Sequence, residues 1–259
     1  MTEFSNWNLY EGASEGSGRS EKVWLQNPIT GDNGRDYLYL IWKAEKTRKQ
    51  HVIGELSKNG QYEFKYCETN LDEAMKEGFK LLVSFPDKEE TYTSDMLFSV
   101  FSSRLPDRKR KNIEEILKKY AMDKFEPYTL LKRSGARLPI DSLEFIDPIL
   151  DSRGFIKRFF YMAGTQYYVG CEGENCSEAL KMEPGQEVHL QREPENGKDQ
   201  YAVAVYTEKE DKIGYIPRYY SEIVSEMLLD QRNVHCEVES VNKEKGCHEC
   251  IELVLTVED

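Results

Sequence analysis

No stretch of this 259-residue chain approaches 18 consecutive apolar residues, so nothing in it reads as a membrane-spanning helix. Its first residues lack the basic-then-apolar pattern of an export signal. Six cysteines are too few to make a disulfide scaffold in a chain of this size. The expectation is a soluble protein of the cytoplasm, with reduced thiols and no membrane partner. Histidine is scarce as well: His51, His189, His235 and His248 are scattered, and none stands in a catalytic signature. Also missing are the phosphate-cradling G-x-x-x-x-G-K-[ST], a G-x-G-x-x-G after a strand, H-E-x-x-H and G-x-S-x-G. Distant residues can still converge in a fold, but an enzymatic activity is unsupported. The expectation is a binding protein that needs no organic cofactor.

What is present suits one large or two ordinary domains. Apolar residues make up 39% and aromatics 12%, enough for real cores. The net charge of −12 is unevenly spread. Residues 1–150 hold 23 Lys and Arg against 25 Asp and Glu, which leaves 12 against 22 in residues 151–259. Binding along a phosphate backbone draws on many cations, so a broad duplex-binding face in the acidic second half is not expected. Recognition of a strand end in one pocket needs far fewer.

Residues 1–22 read as a flexible tail rich in Gly, Ser and Glu, with little to bury. Trp7 and Tyr10 within it, and Trp24 just beyond, either pack on the domain that follows or serve a docking peptide. A first α+β domain is expected over 23–148. Tyr37–Trp42, His51–Leu56 and the alternating Tyr62, Phe64 and Tyr66 are strand candidates, and Asn59-Gly60 marks a hairpin between the last two. Asn70 with Glu73 three residues on predicts a capped helix, and Phe79–Phe85 a returning strand. Ile113, Ile116, Leu117 and Tyr120 fall on one helical face. Pro127–Lys132 forms a second helix stopped at Gly135, and Leu138–Pro148 an extended connector. The second domain is expected over 149–259.

The segment from Gln186 to Leu229 is the most specific. Val188 and Leu190 alternate with polar residues, and a turn follows at Arg192-Glu193-Pro194-Glu195-Asn196-Gly197. Tyr201–Tyr206 and Ile213–Ile216 are short strands. Pro217 then leads into a helix with Tyr220, Ile223, Val224, Met227 and Leu228 at helical spacing. This pattern resembles the HIRAN domain. The residues that carry the resemblance are Leu190, Arg192, Glu193, Pro194, Asn196, Asp199, Ala202, Val205 and Ile213-Gly214-Tyr215-Ile216-Pro217, with Phe159 and Ala163–Tyr168 upstream. It spans roughly residues 154 to 258 and implies a small β-barrel with one or two helices.

The resemblance also implies a ligand. Family members that bind the 3′ end of single-stranded DNA stack aromatic side chains on the terminal bases and read the free 3′-hydroxyl with a carboxylate. On this chain the stacking position falls on Tyr167, with Tyr168 beside it, and the carboxylate on Asp199. Three positions depart from those members. Gln166 stands for an Arg, Lys198 for a second stacking aromatic, and Tyr215 for a pocket histidine. Each residue also has a plainer role open to it. The two tyrosines could be strand residues in a core, Asp199 could cap the turn before Tyr201, and Arg192 and Glu193 could pair or tie turns.

A second likeness lies in the first half. Val52–Leu56, Tyr62–Tyr66, Phe85-Pro86-Asp87 and Phe98–Asp107 resemble the N-terminal subdomain of HipA-type toxin kinases, without any of the kinase body. That implies a packing or regulatory module, and a kinase-like or other protein partner. Arg104, Arg108, Lys109, Arg110 and Lys111 precede a helix, where the macrodipole disfavours cations, so they are either a solvated face or a contact for nucleic acid or an acidic partner. Cys171, Cys176, Cys247 and Cys250 form two pairs that would suit a structural zinc if loops brought them together, and otherwise are free or redox-active thiols. The expected class is therefore α+β, a mixed N-terminal sheet with helices followed by a HIRAN-type barrel. The expected ligand is single-stranded DNA or DNA ends in a bacterial or phage DNA-maintenance or defence setting; the alternative is a regulatory subunit of a HipA-like toxin–antitoxin system.

Overall fold

The computed structural model describes residues 35–47, 49–150, 154–169, 182–242 and 249–258. The first half is built on strands β1 (Asp36–Lys43), β2 (Gln50–Asn59), β3 (Gln61–Tyr66), β4 (Tyr92–Ser94) and β5 (Leu143–Ile146), all antiparallel to their neighbours in the order β4-β3-β2-β1-β5. The Asn-Gly signal holds: β2 turns into β3 through Gly60, with Asn59 opposite Gln61. Helices α1 (Glu68–Lys76), α2 (Ser99–Ser102), α3 (Ile113–Lys119) and α4 (Pro127–Ser134) are attached to this sheet or to one another. Pro127 opens α4, and Gly135 closes it at φ 67°, a conformation a Cβ makes costly.

Three local readings need correction. Helix α1 starts from Cys67 with no side-chain cap, and Asn70 lies inside its first turn. Residues 79–85 form no strand. Tyr66 inserts its hydroxyl there, accepting from the Leu82 amide at 2.8 Å and donating to the Phe85 carbonyl at 2.9 Å, so two of the backbone polar groups are met without a ladder. The Leu138–Pro148 connector contains β5, which pairs residues 143–146 with 39–42 of β1.

The second half holds β6 (Ile156–Tyr161), α5 (Thr165–Tyr168), β7 (His189–Arg192), β8 (Val203–Tyr206), β9 (Lys212–Tyr215), α6 (Arg218–Leu229), β10 (Asn233–Val241) and β11 (Ile251–Glu258). They make two three-stranded antiparallel sheets, β10-β11-β6 and β7-β8-β9. The described residues do not form a barrel with continuous ladders throughout. The sheets are instead joined at two seams by isolated bridges, Ala163 with Tyr215 and Glu187 with Glu237. At the first seam the chains come close: a Cβ on Gly214 would meet the Ala163 carbonyl oxygen at 2.6 Å.

The two halves share packing. Along β1, Leu38 and Leu40 face the first core, where Phe64, Phe85, Phe101 and Phe145 cluster. Tyr39 and Ile41, on the opposite face by the period of two, join Ile146, Ile149, Val205, Val224 and Leu253 in the second core. Polar ties reinforce this seam. The Tyr220 hydroxyl donates to the Asp147 carbonyl at 2.6 Å, and Arg137 bridges Glu144 and Glu249 at the same boundary.

Candidate nucleic-acid interface

The second half brings one aromatic and charged cluster to its surface, at the seam between β6 and β9. After β6 the chain turns at Gly164, in the left-handed region at φ 75°, and winds immediately into α5. Thr165 is buried and faces inward, while the next three side chains face solvent. Tyr167 and Tyr168 therefore sit on a short helix, and they are 72% and 41% exposed. Their alternative as strand core residues is corrected by this turn. Gln166 is exposed beside them.

Tyr168 is the anchored member of the pair. Its ring meets the Tyr215 ring edge-on at 5.7 Å, and its hydroxyl donates to that of Tyr215 at 3.3 Å. Tyr215 in turn donates to Glu193 Oε2 at 2.8 Å. Lys212 closes the set, with Nζ 2.5 Å from Glu193 Oε1 and 2.5 Å from the Tyr215 hydroxyl. The same ammonium lies 4.2 Å from the Tyr215 ring centroid and 5.0 Å from that of Tyr168, within reach of both π faces. Asn196 donates to Glu193 across the β7–β8 turn at 3.2 Å. Burial alone would raise the Glu193 carboxyl, but the hydrogen bonds from Lys212, Tyr215 and Asn196 outweigh it and hold the group below its ordinary range. Burial works against the Lys212 ammonium, but its hydrogen bonds to Glu193 and the Tyr215 hydroxyl, with their charges, reverse that and push its pKa up.

The other expected pocket residues are held by α6. Asp199 accepts from the Tyr201 amide at 2.9 Å, which is the turn-capping role, and from the Ser221 hydroxyl at 2.8 Å. Arg192 donates to Ser225 at 2.8 Å. Ser221 and Ser225 stand one turn apart on α6, so one helix face secures both residues. Arg192 and Glu193 are consequently not a pair; Glu193 takes Lys212 instead. Lys198 is exposed, and its amide donates to the Asn196 side chain.

Lys212 is the member that sequence reasoning missed. It lies 19 residues from Glu193, and no spacing rule links a turn carboxylate to a lysine two strands later.

The basic run divides in two. Arg104 is buried and forks onto Asp141 at 2.5 and 2.9 Å, while also donating to the carbonyls of Ala136 and Leu143. It is a structural residue and no part of a contact patch. Arg108, Lys109, Arg110 and Lys111 are exposed in the turns before α3, where Arg110 donates to Asn112. Of the expected zinc ligands, Cys171, Cys176 and Cys247 lie outside the described residues. Cys250 is buried in the second core, and no metal-ligating cluster occurs among the described residues. The tail expected over 1–22 also lies outside them, and no described helix is long and apolar enough to cross a membrane.

Residues 157–257 match the model of the HIRAN domain, and residues 47–139 match that of the HipA N-terminal domain. Two solved structures align with 41% of the chain each. One is the crystal structure of the HIRAN domain of human HLTF, at 16% identity over 81% of that chain with a TM-score of 0.31. The other is a crystal structure of a protein from Lactobacillus plantarum, at 24% identity over all of that chain with a TM-score of 0.32. No curated protein matches the chain.

Proposed function

We propose that this protein is a non-catalytic binder of single-stranded nucleic acid that takes a DNA 3′ end on the α5–β9 surface of its HIRAN half. The observation that carries the reading is the pair Tyr167 and Tyr168, one ring free in solvent and the next locked from below by Tyr215, Lys212 and Glu193. An exposed ring on a held support accepts any base by stacking, worth about 1–3 kcal/mol per base.

In this reading Tyr167 is the platform and Tyr168 its anchor. Lys198 is the cation available for a phosphate, because its ammonium is exposed on the β7–β8 turn. Asp199 orders that turn through Tyr201 and Ser221, and its carboxylate retains acceptor capacity for a terminal hydroxyl. Arg108, Lys109, Arg110 and Lys111 supply a second, backbone-level contact for longer strands. The HIRAN match supports nucleic acid as the ligand class. The match of residues 47–139 to the HipA N-terminal domain favours a further role for the first half, as a docking module for a separately encoded protein of a toxin–antitoxin or defence system.

Binding of a fluorescent single-stranded oligonucleotide by wild type, Tyr167→Ala and Asp199→Asn tests the reading. Asparagine can keep the hydrogen bonds to Tyr201 and Ser221, so its effect isolates the charge. Loss of binding in Tyr167→Ala with unchanged thermal stability supports the platform; equal binding by all three contradicts it.

A further inference from the structure

Helix α6 touches both the first half and the candidate site within three consecutive residues. Tyr219 lies in the electrostatic field of Glu144 and Arg137, at the edge of the first sheet. Tyr220 donates its hydroxyl to the Asp147 carbonyl at 2.6 Å, where the chain leaves β5. Ser221 donates to Asp199 Oδ2 at 2.8 Å, and one turn on Ser225 accepts from Arg192. Pro217 starts the helix without a side-chain cap, so contacts of this kind hold its first turn. Ser221 and Ser225 are 2% and 1% exposed, and a hydroxyl so deeply buried is fixed by the partner it has. The Arg218 carbonyl, 3.0 Å from the Ser221 hydroxyl, is a competing acceptor, but the charged Asp199 is the stronger one. Asp147 is itself held from several sides. Its carboxylate meets Lys132 of α4 at 3.3 Å and Arg158 of β6 at 3.5 Å, and Lys132 also pairs with Asp36 of β1 at 2.7 Å.

We propose that Tyr220 is a positioning residue for strand binding: by tying α6 to the exit of β5 it sets Ser221, and through Ser221 the orientation of the Asp199 carboxylate. The inference rests on the reading that Asp199 meets the strand end. It makes the first half a part of the site in the second, because the anchor of α6 belongs to a residue that Lys132 and Asp36 hold in place. A carboxylate already fixed in its binding orientation has less freedom to lose when a ligand arrives, and affinity gains by that difference. Tyr220→Phe separates this role from packing. Phenylalanine keeps the ring that stands edge-on to Phe160 at 5.6 Å. The Asp147 carbonyl still accepts from Arg158 Nε at 3.2 Å, so the loss of the hydroxyl orphans no acceptor there.

The test uses the full chain and one short single-stranded oligonucleotide with a free 3′-hydroxyl, titrated into wild type, Tyr220→Phe, Ser221→Ala and the double variant. Tyr220→Phe is expected to weaken binding about fivefold and Ser221→Ala at least as much, with the double variant no weaker than Ser221→Ala alone. Hydrogen exchange supplies a readout that needs no strand. The Tyr201 amide, which donates to Asp199 Oδ1, should exchange faster in Tyr220→Phe, while the amides of the β8–β9 ladder keep their wild-type rates. If no strand binds any protein but the Tyr201 amide is loosened, the strand-end reading fails and the hold of Tyr220 on Asp199 stands. If wild type binds and Tyr220→Phe binds equally, or if its loss adds in full to that of Ser221→Ala, the inference is overturned and the strand-end reading survives. Absence of binding together with an unchanged Tyr201 amide overturns both.

Discussion

Arg104 and Asp141 form a two-pronged ion pair in the first half, with the guanidinium 6% exposed and two further backbone carbonyls accepting from it. A planar fork is required at this place, because four acceptors are arranged around one flat cation. Arg104→Ala is expected to cost about 3 kcal/mol or more, because it takes the donor from the Ala136 and Leu143 carbonyls and leaves Asp141 only the Leu143 amide. Arg104→Lys should recover little of the loss. Chemical denaturation measures both, and a cost under half of that would show the pair to be incidental.

The same pair gives a pH dependence with a definite sign. Burial pushes the Asp141 carboxyl up, but the hydrogen bond and charge of Arg104, with the Leu143 amide, outweigh it and leave the pKa lowered. A carboxyl whose folded pKa is depressed contributes stability above its unfolded value near 3.8, and that stability is lost as the pH falls through the lower folded value. Glu193 adds the same sign, lowered from 4.5. Melts between pH 6 and pH 2.5 should fall steeply below about pH 4. Arg104→Ala should flatten the Asp141 part of that fall.

Ile41 tests how the halves are joined. It is wholly buried in the second core although it belongs to a strand of the first. Ile41→Ala should cost roughly 2–5 kcal/mol. If the shared core couples the halves, both should melt in one transition, at a lower temperature than wild type. Two separate transitions, with only one displaced, would show that the boundary near residue 148 divides independent folding units.

Salt dependence separates the end site from the basic turns. Contact with one or two phosphates gives a slope of about −0.7 to −1.4 in log K against log salt for a short single strand. Replacing Arg108, Lys109, Arg110 and Lys111 together by glutamine should leave that slope unchanged with a short probe and flatten it with a long one. Stability should hold, because these side chains are exposed.

Much of this was legible in the residues. Asn59-Gly60, Pro127 with Gly135, and the helical spacing of Tyr220, Val224 and Met227 carried their local chemistry into the structure unchanged. Three of the misreadings share a cause, which is tertiary context supplying hydrogen bonds that local pattern cannot announce. Phe79–Phe85 has a strand's composition, but the Tyr66 hydroxyl takes two of its backbone groups. Leu143–Ile146 sits between prolines that suggest a linker, yet β1 has an open edge for it. Arg104 reads as one of five cations until Asp141, 37 residues on, folds against it. At the candidate site the tyrosine pair was visible in sequence, whereas its support, Lys212 on Glu193, depends on a pairing between turn and strand that only the fold creates.

The most direct measurement is the affinity of wild type for one short single strand carrying a free 3′-hydroxyl, a 3′-phosphate or a blocked 3′ end, compared with Tyr167→Ala. A preference for the free hydroxyl, together with a loss of roughly tenfold or more in Tyr167→Ala, is the predicted result. Equal affinity for all three ends, or none at low salt, would contradict the account and leave the protein-docking role of the first half as the better explanation of this chain.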